Sequence, residues 1–540
     1  MQFSTSSSGR RIGVRLPSMS AVLVLVALGL VHPIRAVCGD DHAGRPNIVI
    51  VMADDLGFSD LGCYGGEIET PHLDRMFSEG MRFSQFYNCA LCGPSRAALL
   101  TGQFPNRVGI HQWTGLLNQR CVTLFELLKQ AGYQTAAVGR LDMTTADVWH
   151  DPNNIVRYVD HFLGSTGHTG PGHYFKAVRN TTFFRNGQTF AVPDDSYKTD
   201  LITAFAAEFI AQAAAKDQPF LLYVSEYAPH WPLHAKPEDM EKYRERYRRS
   251  GWDVARQQRY ERLLAAGLIP ESSELSPRDH RAPKWVQTPH QDWEADRMAA
   301  YAAQVDSLDQ SVGKVLSALT SADVDRNTLV MFLSENGASD AALQRPLDGP
   351  TETWRLDGKP TSVGNVPANK PGSPDTFVTA GPGWSNLSNT PFRGHKNSDF
   401  EGGISSPLVV RWPAVIQQGG QTSHEISHIV DIMATCLEVA GVAYPHEFQG
   451  RSVAPMSGIS LAPIFRGEKH DGHPSLCWAT SGSRAVREGN WKLVAAKDAP
   501  WELYDLSNDR TELHDLRKKS PERVQHLEAI FREWEQTPAE

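Results

Sequence analysis

Three short apolar runs, each followed at once by polar residues, constrain the fold of this 540-residue chain more than any other feature. They are Asn47–Met52, Phe220–Val224 and Thr328–Leu333. Continuous apolar runs of this length are typical of strands that are buried on both faces of a parallel sheet. Helical patterns lie between them, at Val122–Ala131 and Leu201–Lys216. The alternation predicts an α/β fold, in which ligands bind at the carboxyl ends of the strands.

The pattern predicts three parts along the chain. Residues 1–36 have the features of a leader, residues 45–470 form the main α/β domain, and residues 471–540 form a small C-terminal subdomain. In the last part, Ser483–Ala495 has the pattern of a hairpin, and Ser520-Pro521 is a typical start of a helix. The subdomain is therefore expected to combine a small antiparallel sheet with one helix.

Two internal segments differ in amino-acid composition from the rest of the main domain. Residues 236–312 are rich in charge and predict helices that form an insertion or a solvated rim. Residues 340–390 are rich in Gly, Pro, Ser, Thr and Asn and predict a long loop. A loop of that length usually borders a functional site.

The leader has the pattern of an export signal. Three arginines precede the apolar run Ala21–Val31, which is too short to span a bilayer comfortably, and Ala36 offers a small residue for cleavage. This predicts a periplasmic or secreted protein. A retained membrane anchor and a lipoprotein anchor at Cys38 are the less favoured alternatives.

Charge and cysteine content exclude several classes of protein. Removal of residues 1–36 takes away four arginines and no acid, which changes the formal net charge from −9 to −13. This balance argues against a nucleic-acid partner, because such proteins carry a broad basic face. Seven cysteines over this length do not make a disulfide scaffold. An acidic protein that acts on an anion must concentrate its positive charge at one site.

A twelve-residue motif carries the most specific chemical signal. Cys89-Ala90-Leu91-Cys92 is a C-x-x-C, but no second pair lies at zinc spacing. The chain continues Gly93-Pro94-Ser95-Arg96 and then AALLTG. The stretch from Leu91 resembles, without departure, the L-C-x-P-S-R-x-x-L-L-T-G signature of the type I sulfatases, in the alkaline-phosphatase-like superfamily. The resemblance implies that a formylglycine-generating enzyme oxidises Cys92, and that the hydrated aldehyde supplies the nucleophilic oxygen.

The resemblance extends from about Arg45 to the C-terminus and implies the fold of that superfamily. That fold is α/β, with a large central mixed, mainly parallel sheet flanked by helices. Residues 45–470 would then be the sulfatase catalytic domain.

Two further motifs resemble the metal site of the family. Asp54-Asp55 follow the first apolar run and Glu335-Asn336 follow the third. The resemblance implies that these four side chains and Cys92, in its modified form, hold a divalent cation. Glu335 stands where family members often have aspartate. Oxygen ligands suit a hard cation, and a site crowded by side chains favours Ca²⁺ while leaving Mg²⁺ open.

Other matches place the groups that would bind the sulfate. His230 begins H-W-P-L-H, which resembles the family's P-H-x-P-H, and Lys396 lies where the family has a sulfate-binding lysine. The resemblance implies that Arg96, in the nucleophile loop, fixes the hydrated aldehyde. His234 is either part of this set or a residue of the rim.

One family motif departs from the usual pattern. Where the family reads G-K-W-H, this chain reads Gly139-Arg140-Leu141-Asp142. Arg140 can replace the lysine as an anion-binding cation and can bind an anion in bidentate fashion. Asp142 replaces the histidine that assists removal of a proton from the second hydroxyl group, and it can act as that base only if its pKa is raised. His150 is a further candidate base, although a structural histidine is the simpler interpretation.

A second departure lies in the C-terminal subdomain. Related arylsulfatases tend to carry E-H-x-G-N where this chain has Ala479–Ser483. If that segment lines the pocket, it indicates a substrate preference that differs from that of a typical arylsulfatase.

The sequence therefore predicts an arylsulfatase-like sulfuric ester hydrolase that acts on an aryl sulfate or a sulfated carbohydrate. A phosphodiester or phosphonate monoester hydrolase on the same scaffold is one alternative, because Arg140 and Asp142 change the site. A sulfoglycan-binding protein with impaired turnover is the other, because the histidine base is missing. The expected partners are the sulfated substrate and the maturation enzyme, with no stable membrane insertion.

Overall fold

The computed structural model describes residues 44–110, 117–143, 155–165, 173–174, 182–193, 195–343, 355 and 358–536. The leader, Cys38 and His150 lie outside these ranges, so the expectations about them stay predictions. Among the described residues, no helix is both long and apolar enough to cross a membrane.

Strands are short, and half of those in the central sheet are buried along their whole length. In chain order they are β1 (Asn47–Ala53), β2 (Met81–Phe83), β3 (Phe86–Tyr87), β4 (Gln134–Arg140), β5 (His161–Ser165), β6 (Phe183–Arg185), β7 (Gln188–Phe190), β8 (Phe220–Ser225), β9 (Thr328–Ser334), β10 (Ser362–Val363), β11 (Thr376–Phe377), β12 (Leu408–Arg411), β13 (Gln421–Ser423), β14 (Ser427–His428), β15 (Glu447–Phe448), β16 (Arg451–Ser452), β17 (Leu476–Thr480), β18 (Ser483–Glu488), β19 (Trp491–Ala495) and β20 (Glu502–Asp505).

Helices connect the strands and cover both faces of the central sheet. In chain order they are α1 (Pro71–Ser78), α2 (Cys92–Thr101), α3 (Pro105–Val108), α4 (Leu124–Gln130), α5 (Lys198–Ala214), α6 (Pro237–Ala265), α7 (Gln291–Ser321), α8 (Gly381–Ser388), α9 (Glu401–Ile404), α10 (Asp431–Ala440), α11 (Ala462–Phe465) and α12 (Pro521–Gln536).

The three apolar runs form neighbouring parallel strands at the centre of one sheet. β1 pairs in parallel with both β8 and β9, so that Ile50 lies opposite Tyr223 on one side and Met331 on the other. The ten-stranded order is β13-β2-β12-β9-β1-β8-β4-β5-β6-β7, with antiparallel pairs toward both edges. The predicted mixed, mainly parallel sheet with flanking helices is confirmed.

Both predicted helical patterns near this sheet are confirmed as α4 and α5. The start of α4 is fixed by a capping box. The Thr123 hydroxyl accepts a hydrogen bond from the Glu126 backbone N–H, and the Glu126 carboxylate accepts one from the Thr123 backbone N–H. Such a reciprocal pair satisfies two donors that the first turn leaves free.

The charged segment 236–312 is mostly helical as predicted, with residues 266–290 connecting α6 to α7. The expectation of a solvated rim is wrong for α7. Ala299, Ala302 and Ala303 are fully buried, and α7 packs against α5 and α6. Small alanines among charged residues lower the apparent hydrophobicity of this face, which explains why the sequence pattern concealed it. The predicted loop at 340–390 contains β10, β11 and α8 within its described part.

The C-terminal residues form the expected antiparallel sheet and helix. β17, β18, β19 and β20 pair in that order, and α12 begins at Pro521. This sheet is joined to α9 by charges rather than by apolar contact alone. Lys492, in β19, donates to Glu401 at 2.9 Å and lies 2.8 Å from Glu512, with all three side chains fully buried. The boundary at residue 470 stays a prediction.

The Lys492 contacts predict a large loss of stability when this charge is removed. In Lys492→Met, two buried carboxylates lose their shared cation, and we expect the free energy of unfolding to fall by about 3–5 kcal/mol. Urea denaturation measures this change. The control is Lys469→Met, whose side chain is 90% exposed, with an expected change below about 0.5 kcal/mol. Equal changes in the two variants would contradict the structural role of Lys492.

Candidate active site

Three parallel strands deliver polar side chains to one edge of the central sheet. Asp54 and Asp55 follow β1, Arg140 ends β4, and Glu335-Asn336 follow β9. Because β1, β4, β8 and β9 run in the same direction, their carboxyl ends meet at this edge. All of these side chains are buried, so the cluster is expected to satisfy its charges internally.

Helix α2 brings the nucleophile loop to the same edge. Cys92 is its first residue, and Pro94 occupies the first turn, where a missing N–H does no harm. Ser95 anchors the loop, since its hydroxyl donates to the Glu335 carbonyl at 2.6 Å and accepts from the Cys89 N–H at 3.0 Å. Every residue of α2 is buried, which holds residue 92 in a fixed position.

The guanidinium of Arg96 lies at the centre of the acidic groups. It is fully buried, 3.3 Å from Asp54, 3.6 Å from Asp142 and 3.7 Å from Glu335. It also donates to the Arg140 carbonyl at 2.9 Å. The prediction that Arg96 belongs to the site therefore agrees with its position, and its main contacts are with carboxylates.

Arg140 connects the acidic cluster to residue 92. Its Nε donates to Asp142 at 2.7 Å, one terminal nitrogen pairs with Asp54, and the other lies 3.4 Å from Cys92 Sγ. Burial alone would raise the pKa of Asp54, but the charges of Arg140, His230 and Arg96 hold it well below its usual range. A cation thus stands directly beside the predicted nucleophile.

The acidic residues fit a divalent cation. Four buried oxygen atoms, one from each of Asp54, Asp55, Glu335 and Asn336, have no hydrogen-bond partner among the described residues. Asn336 donates its amide nitrogen to Asp55 at 2.8 Å, which leaves its oxygen for a ligand. Burial and repulsion from Asp54 raise the pKa of Glu335 well above its usual value, as expected for surplus negative charge. Carboxylate and amide oxygens are the ligands that Ca²⁺ and Mg²⁺ prefer.

His230 and Lys396 approach the cluster from loops. The Nδ1 of His230 is 2.6 Å from the Trp231 carbonyl, to which it donates, and its Nε2 is 3.6 Å from Asp55. Burial lowers the pKa of His230 to about 4 despite the attraction of Asp55 and Asp54. Lys396 pairs with Asp55, and this pairing raises the pKa of the ammonium even though it is buried.

His234 holds the loops around His230 and does not belong to the reacting cluster. Its Nδ1 accepts from the His173 N–H at 3.2 Å, and its Nε2 donates to the Thr376 carbonyl at 2.9 Å. His173 in turn donates from Nε2 to the His230 carbonyl at 2.7 Å. Sequence reasoning missed His173, since no motif distinguishes it from other histidines.

Asp142 does not meet the condition under which it would act as a base. Burial alone would raise its pKa, but Arg140 and Arg96 outweigh burial and lower it. The hypothesis of a raised pKa at Asp142 is therefore corrected, because two guanidinium groups stabilise its charged form. Its contacts with Arg96 and Arg140 instead suit it to orient both arginines.

The mouth of the site is lined by mixed side chains. Trp231, Asp340, Lys396 and Asn397 line an open cavity, and Ser481 donates to Asn397. Ser481 belongs to the segment that departs from related arylsulfatases. That segment thus contacts the rim of the cavity. Such a contact is the condition under which the sequence predicts a different substrate preference.

Comparisons with known proteins agree with this arrangement. The Sulfatase family model matches residues 46–442, and a model of the C-terminal region of N-sulphoglucosamine sulphohydrolase matches residues 395–535. An uncharacterised sulfatase of Schizosaccharomyces pombe is 32% identical over 89% of this chain and 92% of its own length. An arylsulfatase of Klebsiella aerogenes is 30% identical over 79% of this chain and 94% of its own length.

Solved structures have the same fold. Ps i-CgsB, crystallised with k-i-k-neocarrahexaose, superposes with a TM-score of 0.65 at 25% identity, covering 91% of this chain and 93% of that one. A protein solved with its substrate D-glucosamine-2-N,6-O-disulfate superposes with a TM-score of 0.59 at 21% identity, covering 92% and 99%.

Together the fold and the match over most of the chain define an alkaline-phosphatase-like hydrolase. Within that class, the chain belongs to the sulfatase family and is a sulfuric ester hydrolase.

The contacts of Asp142 predict a binding defect in Asp142→Asn. Loss of the charged partner of Arg140 removes an interaction of about 1.5–3 kcal/mol. We therefore expect KM for 4-nitrophenyl sulfate to rise by about tenfold or more, with a smaller change in kcat. Steady-state kinetics separates the two constants. A base role would instead lower kcat by a hundredfold with KM unchanged, and that result would contradict the present assignment.

Proposed function

We propose that this chain is an exported sulfatase that cleaves the sulfate ester of a carbohydrate through formylglycine at position 92 and a bound divalent cation. The observation that carries the proposal is the juxtaposition of Cys92 with Arg140, within a cluster whose four buried oxygen atoms lack partners. A protein without a cation there would retain uncompensated buried acid, which is strongly destabilising.

The charges of the site suit attack on a sulfate ester. The oxygens of the ester repel an incoming nucleophile, so the site must neutralise them before the reaction proceeds. Arg140 and Lys396 supply two buried positive charges beside residue 92 and Asp55. The cation, held by Asp54, Asp55, Glu335 and Asn336, would act as a Lewis acid toward a sulfate oxygen.

Modification of Cys92 would supply the nucleophile. The hydrated aldehyde offers one hydroxyl group for attack and a second whose deprotonation expels sulfate. Lys396 is a charged donor and is suited to protonate the leaving oxygen. Once Lys396 has given up that proton, its neutral amine can accept the proton of the second hydroxyl group. His230 Nε2 is left to contact the sulfate, because Nδ1 of that ring donates to the Trp231 carbonyl. Asp142 orients Arg140 and Arg96 during both steps.

A carbohydrate suits the cavity better than a simple aryl group. The half-exposed Trp231 indole offers an apolar face, while Asp340 and Asn397 offer polar groups on the same wall. A sugar ring needs both kinds of contact, because it has apolar C–H faces and a rim of hydroxyl groups. Relatives of this chain include N-acetylgalactosamine-6-sulfatase of mouse, 28% identical over 87% of this chain.

Mass analysis of the peptide that contains residue 92 tests the proposal. After coexpression with a formylglycine-generating enzyme, we expect the mass of the aldehyde and turnover of 4-nitrophenyl sulfate. Cys92→Ala should lack both and retain the fold. The control is Cys89→Ala, because Cys89 lies outside the cluster, with its sulfur 4.0 Å from His428.

Two outcomes would overturn the proposal. Unmodified cysteine together with full turnover would exclude formylglycine. Preference for an aryl phosphate diester over the aryl sulfate would favour the alternative hydrolase on this scaffold.

A further inference from the structure

One buried lysine of the chain has no part in the mechanism above. Lys198, the first residue of α5, exposes 1% of its surface, and its Nζ has no hydrogen-bond partner among the described residues. Lysine is almost never fully buried without a partner. Burial of an ammonium group without a partner costs several kcal/mol of solvation free energy.

The groups around Lys198 do not balance its charge. Its Nζ lies 4.3 Å from the centroid of the Tyr227 ring, and Tyr227 shares a 2.6 Å hydrogen bond with Ser165 at the end of β5. A ring face contributes about 0.5–2 kcal/mol, which is less than the lost solvation. Burial, with repulsion from Arg140, lowers the pKa of Lys198 to about 7. Burial also lowers the pKa of the nearby His234 to about 4 and that of His173 well below its usual value, so both rings are neutral near pH 7.

The backbone ties Lys198 to the sulfate-binding groups. Its N–H donates to the His173 carbonyl at 2.7 Å, and His173 donates to the His230 carbonyl at 2.7 Å. Tyr227 lies three residues before His230 on the loop that follows β8. Lys198 therefore lies near Arg140 and belongs to the network that holds His230.

Burial of Lys198 does not exclude contact with a ligand. Cys92 and Arg96 are fully buried, and Lys396 exposes 6%, although the sulfate ester must reach this centre. An anion beside the unpaired Nζ of Lys198 would stabilise the charged form of this lysine.

We propose that Lys198 is the cation of a second anion-binding subsite, which receives another anionic substituent of the substrate, a carboxylate or a second sulfate. The inference rests on the proposed function and narrows it to doubly anionic sulfate esters. Arg140 binds the reacting sulfate, and Lys198 binds the other anionic group.

Kinetics with matched substrates tests the subsite. The substrates are 4-nitrophenyl sulfate and 3-carboxy-4-nitrophenyl sulfate, together with monosaccharides that carry one or two sulfates. We expect the ratio of kcat/KM for the doubly over the singly anionic substrate to fall at least tenfold in Lys198→Met and to recover in Lys198→Arg. The carboxylate and disulfate pairs show which anion is preferred. The control is Lys216→Met, an exposed lysine just beyond α5, which should leave the ratio unchanged.

A binding experiment separates failure of the subsite from failure of the proposed function. Calorimetry compares benzenesulfonate with 3- and 4-sulfobenzoate on the unmodified protein, in which no turnover occurs. We expect at least tenfold tighter binding of a sulfobenzoate to the wild type and loss of that preference in Lys198→Met. If the wild type prefers a sulfobenzoate but turns over no sulfate ester, the proposed function is overturned and the proposed subsite is retained. The subsite is overturned if the wild type binds benzenesulfonate and the sulfobenzoates equally well. It is also overturned if Lys198→Met weakens the binding of both kinds of ligand by the same factor.

Discussion

Buried negative charge at the carboxyl edge of the central sheet is the constraint on which the rest of the site depends. Asp54, Asp55 and Glu335 leave water together, which is unfavourable unless cations accompany them. Arg96 enters this cluster from α2 and contacts two of the three carboxylates. The same requirement brings Arg140 and Lys396 to the edge. The cations that balance the buried carboxylates are therefore the same groups that can bind sulfate.

This arrangement explains how an acidic protein can recognise an anion. The chain carries a formal net charge of −9, so its overall charge does not attract a sulfate ester. Recognition must instead come from short-range contacts in a site that excludes water, where each charge acts strongly. The subsite that we propose at Lys198 would extend this principle to a second anionic group.

Much of the fold was predictable because its signals are local. The apolar runs determine β1, β8 and β9, and the helical patterns between them determine α4 and α5. The pairing of Asp142 was not predictable, because it depends on Arg96 and Arg140 meeting across two elements. His173 and Lys198 escaped notice for the same reason, since only tertiary contacts distinguish them. Alanines hid the buried face of α7, because their low hydrophobicity resembles that of a solvated helix.

The central claim is that a cation completes the charge balance of the buried acidic cluster. Metal analysis of the purified chain, followed by calorimetric titration of Ca²⁺ and Mg²⁺ into chelator-treated protein, tests it most directly. The account predicts one ion per chain, loss of turnover on chelation and recovery with the ion. It also predicts that Asp55→Asn, which replaces one ligand, weakens binding while Asp340→Asn, at the mouth of the cavity, does not. Full turnover by protein shown to be free of metal would contradict it.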